Sequence, residues 1–442
     1  MKSIFKRVTA LFSVTVIVAA SISGCGPTIT PDLSNFQKFV SHNFVKPVSS
    51  LSDTVDLYVD YSTCVAEAKN SNYFKSTHPA IVDCAPIFYS IKGSKITKET
   101  DDRQEVYQLL SSIREVNNAD IKKAVQNIVN GNHQAVLITD GEYYLQGSVR
   151  DNLNNPYLAD EFRTWLRKGY DVYIYSEPYL ESGRYNKYRY YILFTDAKKS
   201  NNINDRFSRS APDDDRVKML HLSNGVPTVS FDEDYPMINE ALSPVESNYI
   251  FNDVVELQEY GVDWNDMVEY LSYDKKNSHL LRGIYVNRTE SDCYKIVEVE
   301  PVVYQVYDEY QEFCDSCSFG TMLPKIGKLR RIDDVFEIDE DEFEETGEIV
   351  LKLDDDFDGS SLSMDTPNLL KVDFVIKKAS DNFSGNQELN DAYKWNSISA
   401  AQNHAQNTSI YESISQVIKD PQMNPTKKEH VVYTVYLSTY SL

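Results

Sequence analysis

Between residues 55 and 194 the chain alternates apolar runs of strand length with segments of helical spacing, and two of those runs end in an aspartate. Val55-Asp56-Leu57-Tyr58-Val59-Asp60 is the first, and Ala135-Val136-Leu137-Ile138-Thr139-Asp140 is the second. A strand that is apolar on both faces must be covered on both sides, which is what helices do for the sheets of α/β proteins. Residues 86–91, 170–175 and 188–194 read as further strands, and 105–116, 119–129 and 158–168 as helices. In the second helix Ile121, Ala124, Val125 and Ile128 share one face, and Asn130-Gly131 supplies its stop. The order predicts an α/β fold over 51–200, a doubly wound, mostly parallel sheet. Ligands of such sheets gather at the carboxyl ends of the strands, so Asp60 and Asp140 are expected to open onto one crevice. Tyr188, Tyr190, Ile192 and Phe194 alternate along the last strand and read as its core face.

Beyond residue 200 the texture changes. Residues 199–215 are rich in Asn, Ser and Asp and read as a linker. Across 215–380 β-type runs follow with few helices between them, which predicts a β-rich, sandwich-like domain. The segment 381–442 is mixed α+β, with a helix over 397–417 and a strand over 431–440. The acidic run 333–348 reads as a solvated loop or edge.

The first 24 residues are a leader. Lys2, Lys6 and Arg7 are followed by an apolar run over 8–20 that is too short to span a bilayer. Ile22-Ser23-Gly24-Cys25 then resembles the lipobox of bacterial lipoproteins. That resemblance implies cleavage before Cys25 and acylation of its thiol and new amino group. Several chains at about 0.8 kcal/mol per buried CH2 make a stable anchor. Gly26 after Cys25 resembles the sorting pattern of outer-membrane lipoproteins. Residues 25–50, with Pro27, Pro31 and Pro47, read as a tether. The formal charge is −23, and loss of the three leader cations takes it to −26. A chain so acidic is repelled by phosphate backbones, which argues against nucleic acid as a partner. Tyrosine outnumbers phenylalanine, 31 to 19, and Tyr suits half-buried strands and contact surfaces.

Asp60-x-Ser62-x-Cys64, with Leu137-Ile138-Thr139-Asp140-Gly141-Glu142 some eighty residues on, resembles the von Willebrand factor A domain. In that family Asp-x-Ser-x-Ser opens a metal-ion-dependent adhesion site, which a Thr from a second loop and an Asp from a third complete. The resemblance implies Asp60, Ser62 and Asp140 as ligands of Mg2+, with one position left for a carboxylate of an envelope or surface protein. Mg2+ is hard and prefers six oxygens. Two positions depart from the pattern. Cys64 stands where the second Ser belongs, and a thiol is a soft ligand. Ala119 stands where the Thr is expected, with Asp120 one residue away.

Asp354-x-Asp356-x-Asp358-Gly359, with Asp365 at the twelfth place, matches the register of an EF-hand Ca2+ loop. Asp365 replaces the bidentate Glu, however, and the preceding run reads as a strand. Apart from Cys25, five cysteines remain, an odd number. Cys314 and Cys317 have redox or zinc spacing without a second such pair, so a local disulfide with Cys293 and plain thiols both stand. No nucleophile elbow, zinc-protease helix or phosphate loop occurs. The expectation is a lipid-anchored envelope protein that binds another protein rather than an enzyme. Two alternatives remain: a hydrolase or carbohydrate-active enzyme with its site in the β-rich half, and a structural lipoprotein without metal.

Overall fold

The computed structural model describes residues 33–44, 51–113, 119–142, 153–183, 185–223, 227, 229–231, 281–288, 292–357, 361–362, 368–396, 406–427 and 430–439. Residues 1–24, read above as a leader, and Cys25, Asp358 and Asp365 lie outside the described residues. Among the described residues no helix is long and apolar enough to cross a membrane.

Seven strands form the first sheet: β1 (Ser52–Asp60), β2 (Ile87–Lys92), β3 (Lys95–Thr100), β4 (His133–Thr139), β5 (Asp171–Glu181), β6 (Tyr185–Thr195) and β7 (Lys218–Leu222). Their order is β3-β2-β1-β4-β6-β5-β7. After α1 (Leu33–Asn43), the helices α2 (Thr63–Ala68), α3 (Asn72–Val82), α4 (Arg103–Ser111), α5 (Ile121–Asn130), α6 (Ala159–Arg167) and α7 (Ile203–Ser210) follow. Alternate residues of one strand serve two cores. Leu57, Val59, Val136 and Ile138 pack with α2, α3, α4 and α7. Tyr58, Ala135 and Leu137 pack with α5 and α6 on the other face. Tyr190, Ile192 and Phe194 join that second core, with Tyr188 packed against it, so the alternation read from β6 holds.

The expected mostly parallel sheet is corrected to a mixed one. β1 is parallel to β2 and to β4, each reached through helices. The other four pairings are antiparallel. Parallel neighbours need a crossover of a dozen residues or more, and two connections here are too short for one. Gly93 (φ 61°) turns β2 into β3, and Ser182 and Gly183 (φ 52° and 66°) turn β5 into β6. The segment read as a linker carries α7, and β7 adds an edge strand to the same sheet.

The β-rich half holds two antiparallel four-stranded sheets. One contains β8 (Val229–Phe231), β9 (Leu281–Val286), β12 (Phe336–Ile338) and β13 (Glu348–Leu353). The other contains β10 (Tyr294–Gln305), β11 (Arg330–Ile332), β14 (Asn368–Asp381) and β17 (Val431–Thr439). Ile284, Ile349 and Leu351 from the first share one core with Val303, Val372, Phe374 and Val435 from the second. Among the described residues, this half and the start of the segment after it carry the helices α8 (Tyr307–Phe319), α9 (Glu340–Thr346) and α10 (Gln387–Asp391). Past them come the short strands β15 (Trp395–Asn396) and β16 (Gln406–Asn407), then α11 (Ser409–Ile418).

The two halves are stitched by chain that passes between them. α11 packs on α6, where the Leu158 amide donates to Ser413 Oγ at 3.2 Å, while β17 pairs with β14. At the junction His221 of β7 lies between Asp171 and Asp292, Nε2 at 2.9 Å and Nδ1 at 2.7 Å. Its ring stacks on Tyr173 at 4.2 Å. α1 docks on α8 through Phe36, Phe39, Tyr310 and Phe313. All five described cysteines are free thiols, so the alternative of a disulfide at Cys293 gives way to reduced side chains.

Candidate metal centre

Because β1 and β4 are parallel neighbours in register, with Val59 opposite Ile138, their carboxyl ends deliver Asp60 and Asp140 side by side. Cys64 joins them from the first turn of α2. A carboxylate oxygen of each acid and the Cys64 sulfur all lie within 4.8 Å of one another, and all three residues are buried. Ser62, half-exposed at the head of α2, sets its Oγ 3.1 Å from Cys64 Sγ. The three residues predicted from the two motifs therefore converge, and the substituted Cys64 points inward with them.

Local chemistry fixes each oxygen. Thr139 Oγ1 donates to Asp60 Oδ2 at 2.8 Å and accepts from the Gly141 amide at 3.1 Å. Asp140 Oδ1 accepts from the Glu142 amide at 3.0 Å. Asp60 Oδ1 is buried without a hydrogen bond of good geometry. Gly141 has φ 71°, and a Cβ there would lie 2.6 Å from Ile410 of α11. The turn therefore needs a glycine for its backbone and for its close neighbour alike.

Burial, and then the charge of Asp140, push the Asp60 carboxyl well above its ordinary range, while Thr139 and Ser62 pull the other way. Burial followed by both carboxylates raises the Cys64 thiol. Like charges in a dry site cannot all ionise alone, so Asp60 and Cys64 keep their protons near neutral pH unless a cation offsets the charge. One lies close by. The Lys187 ammonium sits 2.7 Å from Glu181, 3.7 Å from Asp140 and 3.8 Å from Glu142. It also lies 4.5 Å from the centre of the Trp395 ring. Burial opposes its charge, but Asp140, Glu142 and Glu181 outweigh that and hold it protonated.

A second buried cation shapes the first loop. Arg189 donates to the Cys64 carbonyl from Nε at 3.0 Å and from Nη2 at 2.6 Å. It also donates to Glu177 at 2.7 Å, which takes a further bond from Tyr191. The helix that carries Cys64 is thus pinned to β6 from beneath.

The donor set fits a divalent ion in part. Asp60, Asp140 and Ser62 offer hard oxygens. Cys64 offers a soft sulfur, and Lys187 already supplies positive charge. Ala119 brings no oxygen, and Asp120 accepts from the Lys123 amide as the cap of α5. Asp354 accepts from the Asp356 amide in a turn after β13. With Asp358 and Asp365 outside the described residues, the calcium loop has no described ligand cage.

Lys187, Arg189, Glu177 and Glu181 were missed by sequence reasoning. Their signal is a pattern of charge: Lys187 and Arg189 alternate along β6, Glu177 and Glu181 stand four residues apart on the neighbouring β5 with Glu177 opposite Arg189, and buried charges occur in pairs. Trp395 and Ile410 carry no such signal.

Compared with protein-family models, with curated proteins and with solved structures, the chain matches none.

Proposed function

We propose that this chain is a lipid-anchored protein of the cell envelope, at the outer membrane. It makes protein–protein contacts, in adhesion or in scaffolding an assembly. The contact surface is the carboxyl edge of an α/β domain of von Willebrand factor A kind with a degenerate metal site. One observation carries this reading: β1 and β4 set Asp60 and Asp140 together from segments eighty residues apart, with Ser62 beside Asp60 and Cys64. Ser62 is the member of the group that meets solvent, so a partner's carboxylate reaches a bound Mg2+ from that side. The test is capture of an envelope partner by the chain from Gly26 onward, with and without EDTA, beside Asp140→Ala. Loss of capture in both arms is expected; capture indifferent to both ends the metal-mediated contact.

Two observations favour other readings. Lys187 stands 3.7 Å from Asp140, which suits a structural lipoprotein whose own ammonium has replaced the ion. A cavity of about 500 Å³ in the β-rich half is lined by Glu300, Asp339, Glu340 and Asp341 among others, which suits a glycan hydrolase. Against catalysis, Asp339 caps α9 and pairs with Lys352. Release of reducing sugar from envelope glycans, lost in Glu300→Gln, is the result that supports the enzyme.

A further inference from the structure

Residues 320–331, Gly-Thr-Met-Leu-Pro-Lys-Ile-Gly-Lys-Leu-Arg-Arg, carry four cations and no acid in a chain of net charge −23. They follow α8 directly, whose acids Asp308, Glu309, Glu312 and Asp315 end before this loop begins. Two of the molecule's large apolar side chains stand in solvent here, Phe319 at 79 % exposure and Met322 at 93 %. Leu323, Ile326 and Leu329 turn inward onto the aromatic cluster of α1 and α8. Lys325, Lys328 and Arg330 turn outward. Arg331 pairs with Asp333 at 2.8 Å. The loop therefore shows apolar tips flanked by cations, with its aliphatic stems holding it to the fold. That is the pattern of a segment lying at a bilayer interface.

Its position agrees. α1, docked on α8, begins at Leu33, eight residues after Cys25. Eight extended residues span about 26 Å, so an anchor at Cys25 keeps this side of the molecule near the membrane. The rest of the acidic surface is repelled by anionic lipid, and the loop is attracted.

We propose that Phe319 and the segment 320–331, a loop that runs into β11, form a membrane-contact surface for anionic phospholipid, orienting the protein beside its anchor. The placement beside an anchor rests on the reading of Cys25 given above; the lipid contact itself does not. The test mixes the chain from Gly26 onward, which has no acyl group, with vesicles of phosphatidylglycerol in phosphatidylcholine or of phosphatidylcholine alone. Sedimentation with the anionic vesicles alone is expected, weakening as salt rises. The double change Lys325→Glu and Lys328→Glu is expected to weaken it at least roughly tenfold. The emission of a Met322→Trp reporter should move to the blue on anionic vesicles. Absence of binding by the unaltered chain, or binding that the charge reversal leaves intact, overturns the proposal. Fatty-acid labelling of the full-length chain against Cys25→Ala tests the anchor separately, so either idea can fail alone.

Discussion

His221 offers the most quantitative test of how the two halves are joined. Each ring nitrogen faces a carboxylate oxygen, Asp171 on one side and Asp292 on the other. A neutral imidazole has a single N–H, so only the imidazolium donates to both. Burial works against that charge, but the two aspartates dominate, and the group titrates at about 9 instead of 6.5. The difference corresponds to about 3 kcal/mol. The sign follows from the direction: the contribution is complete below the unfolded value and is lost as pH climbs through the folded one. Urea titrations of the unaltered chain and of His221→Gln, followed by tryptophan fluorescence, measure it. Trp165 reports locally, because its Nε1 donates to the Asp171 carbonyl at 2.9 Å. The unaltered chain should lead the variant at about pH 6, and that lead should shrink by about 3 kcal/mol by about pH 10. Two stability curves that run parallel across this window would falsify the imidazolium clamp.

Four variants test the candidate metal centre. Cys64→Ser restores the hydroxyl of the motif and should strengthen Mg2+ binding in calorimetry, whereas Asp140→Ala should abolish whatever binding exists. Lys187→Met leaves Asp140, Glu142 and Glu181 without their cation. It should lower stability by about 3 kcal/mol or more in denaturant, with a divalent ion recovering part of the loss if the ammonium stands in for metal. Gly141→Ala forces a side chain into Ile410 at a positive φ and should cost about 2–4 kcal/mol, read as a lowered melting temperature.

What could be read from the sequence was what repeats along it. The runs ending in Asp60 and Asp140 announce themselves by hydrophobicity, and helices between them imply a parallel pair, so the convergence of those acids was legible. The antiparallel side of the sheet was not, because Tyr170–Tyr175 and Tyr188–Phe194 look alike whichever way they run. Only the length of the connection decides, and β5 and β6 each extend beyond the apolar run toward the turn at Ser182 and Gly183. The helix α7 hid in polar sequence since two residues, Ile203 and Phe207, are all that it buries. Trp395 and Ile410 reach the centre from more than two hundred residues away, and no local pattern encodes a contact of that range.

The last strand has a consequence for the order of assembly. Phe36 of α1 packs against Tyr436 of β17 at 5.2 Å, four hundred residues apart in the chain. β14 has β10 on one side and β17 on the other, and Ile410 closes over Gly141 just before β17 begins. Neither half can be finished while residues 406–439 are missing. Closing loops of this length is slow, so a chain still emerging from the ribosome holds back from its final packing. The two halves therefore close together, each waiting on the same carboxyl-terminal segment, and neither offers a finished surface before the other does.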